Sequence, residues 1–253
     1  MATISIEGNI GSGKSSLIEE MKQRFPSIIF VDEPVKDWAL IYDADGVTML
    51  EKFYKNKHAY AFSFQMMAFI SRLKLLRKAR RENPDAIIIT ERSLYTDKLV
   101  FAKMLFENGF IEDVNYKIYL TWFDEFAIDC PIDKIIYVKT DPEICFERIN
   151  KRGRLGEDSI PFDYIQECNT YHEHMLTQPL SNCKPNEQLI LDGNINNIDG
   201  IESWIQQIHS YIYTSPCELR VNDIDEISEY ITEEILDEMS QSMKINNWVE
   251  KWI

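Results

Sequence analysis

The run Gly8-Asn9-Ile10-Gly11-Ser12-Gly13-Lys14-Ser15, followed by Ser16, has the spacing GxxxxGK[ST]. Glycines so placed let backbone N–H groups turn inward around phosphate oxygens, and a following helix adds its positive N-terminal end. Lys14 would neutralise the β and γ phosphates, and the Ser15 hydroxyl would ligate Mg²⁺. The run lies between an apolar strand pattern and a helical one at Ser16–Arg24, which is the setting a nucleotide-binding loop requires. The bland reading is a glycine-rich turn before an ordinary helix. There is no NKxD sequence to read guanine, and no apolar strand ends in DxxG, which turns the reading away from GTPases.

Four further clusters carry chemistry. Glu33, in Asp32-Glu33-Pro34-Val35 with Trp38 just beyond, can accept the proton of an attacking hydroxyl. Asp32 competes for that role, and side-chain alternation points only one of the two inward. On a long helical pattern, Gln65, Ala68 and Arg72 share a face, so an amide and a guanidinium can read a nucleobase edge. Against this, Arg72 also opens the basic run Lys74, Arg77, Lys78, Arg80, Arg81 of a solvated face. In Glu91-Arg92-Ser93-Leu94-Tyr95-Thr96-Asp97, Glu91 can hold Mg²⁺ through water, Arg92 can contact the reacting hydroxyl or the phosphate, and Asp97 can pair with Arg72. An ordinary capped helix start is the competing reading. Arg148, Arg152 and Arg154 form a dense positive cluster around the hinge-permitting Gly153, suited to a lid that closes over polyphosphate at about 148–160. Basic residues complementing a helix C-terminus would look the same. Glu157 lies where it can reach a substrate hydroxyl from that lid.

These residues need a scaffold that brings them together. Ile- and Val-rich runs at Thr3–Glu7, Ile28–Val31, Ala86–Thr90, Lys134–Lys139 and Gln188–Leu191 read as buried strands. The intervening segments, among them helical patterns at Lys57–Arg81 and Asp113–Phe126, are long enough for crossover helices. That predicts an α/β fold with a five-stranded parallel sheet and helices on both faces. Each strand pattern ends in a group able to do chemistry, and ligands of such sheets bind beyond the carboxyl ends of the strands.

The 253-residue chain carries a formal charge of −15 with pI ≈ 4.7. Such acidity argues against nucleic acid held by phosphate neutralisation and against anionic membranes, while leaving room for a local basic pocket. From Ser215 on, ten acidic residues face Arg220, Lys244 and Lys251, a net −7 that leaves −8 of the total for residues 1–214. Residues 215–253 read as an acidic amphipathic extension. No run approaches a membrane span, and the N-terminus shows no signal or transit pattern. Five widely spaced cysteines without a CxxC pair point to reduced thiols and a cytoplasmic setting.

Taken together, GNIGSGKSS at Gly8–Ser16, EPVKDW at Glu33–Trp38, FSFQMMAFISR at Phe62–Arg72, ERSLYTD at Glu91–Asp97 and RINKRGRLGE at Arg148–Glu157 resemble the deoxynucleoside kinase family, in its deoxycytidine, deoxyguanosine and deoxyadenosine kinase branch. The similarity covers roughly residues 2–195. It implies the P-loop NTPase-type three-layer fold with a lid, ATP or UTP as phosphoryl donor, Mg²⁺, and a deoxynucleoside acceptor. By resemblance Glu33 is the catalytic base, Arg92 holds the 5′ position, and Glu91 is the Mg²⁺-associated acid. Tyr54 and Glu157 match the pair on the sugar 3′-hydroxyl. Gln65 resembles the base-reading amide, with Trp38, Phe69 and Phe101 lining the base pocket. Arg148, Arg152 and Arg154 resemble the lid arginines, and Asp192-Gly193-Asn194 the loop that receives the donor's base. Arg72 with Asp97 and small Ala68 resembles the branch that prefers deoxyguanosine, deoxyadenosine and deoxycytidine over thymidine. The family resemblance also implies a homodimer through about 57–81 and 113–126. Two other readings stay open on sequence: a nucleoside monophosphate kinase of the thymidylate kinase type, and a nucleotide-binding regulatory module without turnover.

Overall fold

The structure, a computed structural model, describes residues 2–154, 157, 160–195 and 197–213, with side chains in the last range from 200 on. The extension expected at 215–253 and Cys217 lie outside the described residues. The chain divides into a unit of residues 1–205, which holds the sheet and every candidate residue, and a second from Gln206, of which only the end of one helix is described.

The five apolar runs form β1 (Ala2–Glu7), β2 (Ile29–Val31), β3 (Ile87–Glu91), β4 (Lys134–Lys139) and β5 (Leu189–Asp192). All pairings are parallel, in the order β2-β3-β1-β4-β5. With β3 on one side of β1 and β4 on the other, the winding reverses at β1, so the crevice of the sheet opens where β1 ends at Glu7. The Gly8–Ser15 turn follows at that point.

The connections are helical. α1 (Lys14–Arg24) follows β1; α2 (Val35–Trp38), α3 (Met49–Lys55) and α4 (Lys57–Glu82) follow β2. After β3 come α5 (Leu94–Thr96), a π-helical stretch Asp97–Ala102, α6 (Lys103–Glu107) and α7 (Asp113–Phe126). α8 (Pro142–Arg152) and α9 (Phe162–Leu176) join β4 to β5, and α10 (Asn197–Tyr213) closes the described chain. Local sequence explains several limits. Asn56 caps α4 by accepting the Ala59 N–H at 3.2 Å, and Asn83, kept out of the helical region by the following Pro84, ends it. Pro142 opens α8 at a position that needs no N–H, and Gly153, in the left-handed region at φ 57°, terminates it.

The long α4 joins two apolar clusters. Phe69, Leu73, Leu76 and Ala79 pack with Ile88 of β3 and with Tyr119 and Phe123 of α7. Ala61, Phe64 and Ala68 pack with Trp38 and Phe53. Full burial of each large side chain contributes about 1.5–3 kcal/mol, so α4 is anchored along its whole length and its polar interruptions are held in place. Among the described residues no helix is long and apolar enough to cross a membrane. Cys130, Cys145, Cys168 and Cys183 are buried free thiols.

Candidate active site

A cavity of ≈ 500 Å³ opens beyond the strand ends. At one end it meets Ile10, Gly11, Gly13, Lys14, Ser15 and Ser16; at the other Trp38, Tyr54, Gln65, Ala68 and Phe101; Glu33, Arg72, Glu91, Arg92 and Asp97 lie along its wall. Arg148, Arg152, Arg154 and Glu157 border the same space.

Two features shape the turn. Gly11, at φ 78°, approaches so closely that a Cβ there would lie 2.4 Å from the Cys145 carbonyl oxygen. Gly13, at φ 102°, occupies the N-cap of α1, where its left-handed backbone starts the helix. Lys14 is buried and donates to the carbonyls of Gly8 and Asn9 at 3.0 and 2.6 Å and to Ser12 Oγ at 3.3 Å. Burial, then repulsion from Arg92, lowers its ammonium to about 7, against the pull of Glu91 and Glu33. Asn9 sits behind the turn, tying it to α9 through the Ile165 carbonyl at 2.9 Å. Arg148 donates to the Ser12 carbonyl at 3.3 Å. Ser15 Oγ donates to Glu91 Oε1 at 2.7 Å, so the two oxygens proposed around a divalent ion are adjacent.

Of the two acids after β2, Glu33 faces the cavity; Asp32 is exposed and pairs with Lys22 at 2.8 Å. Arg92 Nη1 donates to Glu33 Oε1 at 2.7 Å, and Arg72 Nη2 to the same oxygen at 3.1 Å. Burial alone would lift the Glu33 carboxyl, but Arg92, Arg72 and Lys14 together hold it at about 2. Arg72 is buried rather than part of a solvated basic face. Its Nε donates to Asp97 Oδ2 at 3.0 Å and its Nη1 to the Glu91 carbonyl at 2.5 Å. Burial pushes the Asp97 carboxyl up, against the pull of Arg72. Arg92 itself has a left-handed backbone, φ 62°, and its guanidinium lies over the Phe101 ring at 5.3 Å.

The far end is aromatic. Trp38 meets Phe64 edge-on at 5.6 Å and donates from Nε1 to Ser71 Oγ at 2.8 Å; Phe53 stacks on Phe64 at 4.6 Å. Gln65 lines the cavity and is buried, and its Oε1 has no partner among the described residues. Burial, then Glu157, keeps the Tyr54 phenol well above its ordinary value and therefore neutral. Glu157 pairs with Arg152 and Arg154, the latter at 3.3 Å.

One expected residue is corrected. Phe69 does not line the cavity; it is fully buried against Tyr119 and Phe123 in the α4–α7 core. Phe64, four residues before Ala68 and eight before Arg72, provides the ring instead. Phe53, Leu50 and Tyr164, for which the sequence carries no motif signal, also line the space. The Asp192-Gly193-Asn194 turn lies at the end of β5 outside the cavity. Asn194 Oδ1 accepts the Asp141 N–H at 2.9 Å, and Asp192 Oδ1 accepts the Asn194 N–H at 3.0 Å.

A cavity with a phosphate-type turn at one end, a carboxylate between two guanidiniums in the middle and an aromatic slot with a free amide oxygen at the other can bring a polyphosphate to a hydroxyl on a flat, polar-edged molecule. Comparison with known proteins agrees. The family model described as deoxynucleoside kinase matches residues 4–217. A probable deoxycytidine kinase of fowlpox virus is 38% identical over 178 residues, covering 69% of this chain and 72% of that protein. Deoxycytidine kinase 2 of Gallus gallus is 32% identical over 216 residues (76% and 82%), and deoxycytidine kinase of Rattus norvegicus 30% over 239 residues (84% and 91%).

Proposed function

The chain belongs to the deoxynucleoside kinase family, and from that premise we propose how its residues divide the work. It is a phosphotransferase whose acceptor is a hydroxyl. In our reading the γ-phosphoryl group of ATP passes to the 5′-hydroxyl of a deoxynucleoside. The bond from Pγ to the β–γ bridging oxygen breaks, the 5′-oxygen–Pγ bond forms, Glu33 takes the hydroxyl proton, and ADP leaves. The observation that carries this reading is the single cavity running from the Gly8–Ser15 turn past Glu33 to Gln65.

A polyphosphate suits the turn: there is no room for a Cβ at Gly11, and the Lys14 ammonium is buried and held only by neutral oxygens. UTP would be accommodated there by the same contacts. Mg²⁺ also fits, because Ser15 and Glu91 offer hard oxygens. When bound, Mg²⁺ neutralises charge on the transferring phosphate. Arg92 orients the 5′-oxygen against Glu33, while Arg148, Arg152 and Arg154 stabilise charge on the phosphates from the lid. Tyr54 and Glu157 serve the sugar 3′-hydroxyl, and Asp192-Gly193-Asn194 serves the donor's base.

Base selection rests on Gln65, Arg72 and Asp97, with Trp38 and Phe101 as walls. Arg72 is fixed by Asp97 where a pyrimidine 5-methyl group would need space, which supports deoxycytidine, deoxyguanosine and deoxyadenosine over thymidine. The deoxycytidine kinases among the relatives agree. The Glu33 carboxylate would repel an acceptor already carrying a 5′-phosphate, which disfavours a thymidylate-kinase-type reaction.

Steady-state kinetics with ATP and Mg²⁺ over the four deoxynucleosides and thymidine monophosphate test this reading, together with Glu33→Gln. We expect thymidine and its monophosphate to be the poorest acceptors and Glu33→Gln to lose about 10²–10⁴-fold in kcat with nucleoside binding retained. Near-normal turnover by Glu33→Gln would reject the assignment. The reading includes a homodimer: Ile70 of α4 and Val114, Ile118 and Trp122 of α7, at i, i+4 and i+8, are exposed apolar side chains on the two helices concerned. Sedimentation of Ile118→Asp checks it, since a monomer is expected. The four free thiols support a cytoplasmic setting.

A further inference from the structure

Arg92 points into the cavity from a backbone conformation that side-chain-bearing residues rarely adopt, φ 62°. Something must hold it there. Its own N–H donates to the Ile6 carbonyl at 3.0 Å, and its carbonyl accepts the Thr90 hydroxyl at 2.8 Å. The other end of the same peptide plane, the Ser93 N–H, donates at 3.0 Å to the carboxylate of Glu7, the last residue of β1.

Glu7 is 0% exposed and takes no part in the cavity wall. Its Oε1 also accepts Ser5 Oγ at 2.6 Å, which shares its side of β1 two residues earlier, and its Oε2 accepts Thr96 Oγ1 at 2.5 Å. Three neutral donors therefore converge on one buried carboxylate, and two of them belong to the turn that follows Arg92. Ser93 and Thr96 form the reciprocal cap that starts α5. Glu7 is thus joined both to the peptide plane after Arg92 and to the first turn of the next helix. Loss of its side chain leaves the Ser93 N–H and the Thr96 hydroxyl buried without that acceptor, and relaxes the turn toward an ordinary backbone. Because φ and ψ of Arg92 set where its Cβ points, such relaxation moves the guanidinium off Glu33.

We propose that Glu7 is a positioning residue for phosphoryl transfer: its carboxylate clamps the Arg92–Ser93 peptide so that the Arg92 guanidinium meets Glu33 at the acceptor hydroxyl. This rests on the role given above to Arg92 and Glu33. The clamp acts by hydrogen-bond acceptance. An amide at position 7 still offers an oxygen to the Ser93 N–H, and its NH₂ can donate to the Thr96 hydroxyl, which can turn to accept.

The experiment is a kinetic cycle on the full chain with Glu7→Ala, Glu7→Gln, Arg92→Gln and the Glu7→Ala/Arg92→Gln pair, each corrected for its folded fraction. Glu7→Ala is expected to lose on the order of 100-fold in kcat, the scale of a small misplacement of a catalytic group. Its KM for ATP should stay within about twofold, since the phosphate turn is not in the clamp. Glu7→Gln should recover most of the loss, and the double variant should be no slower than Arg92→Gln alone. If Glu7→Ala does not fold, Thr96→Val, which removes one clamp donor at nearly constant volume, takes its place in the cycle with the same expectations. Multiplicative losses in the double variant, an unchanged kcat per folded molecule, or a Glu7→Gln as slow as Glu7→Ala each overturn the proposal. A fully active Arg92→Gln overturns the role of Arg92 itself, and this proposal with it; an impaired Arg92→Gln beside a normal Glu7→Ala overturns the clamp alone.

Discussion

Arg92 Nη1 and Glu33 Oε1 lie 2.7 Å apart although 59 residues separate them in the chain. The pair couples the end of β3 to the residue two beyond the end of β2, across neighbouring strands of the sheet. Its consequence is a carboxylate held at about 2 despite burial. A base this weak is ionised at every working pH, and it gains strength only when its cations turn to something else. Incoming phosphates supply that alternative for Lys14, and the acceptor hydroxyl supplies it for Arg92. In the free protein, a carboxyl ¹³C titration of Glu33 should therefore show a midpoint near 2. In Arg92→Gln it should move up toward the ordinary carboxylate value, because burial then meets less opposition. An unmoved midpoint would show that Arg92 does not set it.

Lys14 provides a second pH signature. At about 7 in the free protein, its ammonium is mostly deprotonated at pH 8. Phosphate oxygens favour the charged form, so nucleotide binding must draw in a proton there. Binding heats for ATP at pH 8, in buffers of different ionisation enthalpy, should reveal uptake approaching one proton. The uptake should fade below pH 6, and affinity should weaken as the pH rises above 7. Buffer-independent heats at pH 8 would remove Lys14 from this role.

The Arg72–Asp97 pair is buried, with the Nε–Oδ2 distance at 3.0 Å. Breaking such a pair from one side leaves a charge without its counter-ion, at a cost of about 3–5 kcal/mol. Arg72→Met should accordingly destabilise the protein by that order, and adding Asp97→Asn should restore much of it. The double variant also replaces a fixed guanidinium by a flexible, uncharged side chain beside Ala68, where a 5-methyl group can be accommodated. Its thymidine-to-deoxycytidine ratio in kcat/KM should rise by about tenfold or more, the value of one well-placed methyl pocket. Urea denaturation and competition kinetics on the same preparations check both parts. A single variant as stable as the double one would refute the pairing argument.

How much of this was legible beforehand depended on whether a residue's partner was local. The strands were legible because buried parallel strands are short, nearly continuous Ile/Val runs, and Lys134–Lys139 has the expected limits. α7 and the end of α8 at Gly153 were legible through helical period and left-handed capping. Which aromatic of α4 faces the cavity was not. Phe64 and Phe69 both flank Gln65 and Ala68 in sequence, and only the docking of α7 claims Phe69 for the core. The same limit applied to Asp32 and Glu33, decided by Lys22 on one side and the two arginines on the other. The Glu7 network is not legible in the sequence because its donors, Ser93 and Thr96, are 86 and 89 residues away and of common type.

His172 of α9 makes the last prediction, one about stability. Its Nδ1–H donates to the Cys168 carbonyl at 2.7 Å, and Nε2 is buried with no partner among the described residues. Burial, then repulsion from Arg92, pushes the imidazole down to about 3. An unfolded chain takes up the proton near 6.5, so protons favour unfolding. The stabilisation from a neutral His172 is complete above pH 6.5 and is lost progressively as the pH falls from 6.5 toward 3. Between pH 6.5 and 5 the loss amounts to about 1.6 kcal/mol. Glu33 acts in the same direction, but only below the ordinary carboxylate value of 4.5 from which it is depressed. Lys14, lowered to about 7, loses its share mainly above that pH, so comparison with a variant at position 172 isolates the histidine. Denaturation midpoints at pH 7, 6 and 5 should fall steeply in the native protein and much less in His172→Leu, whose site cannot take up a proton. Parallel slopes in the two proteins would place the acid sensitivity elsewhere.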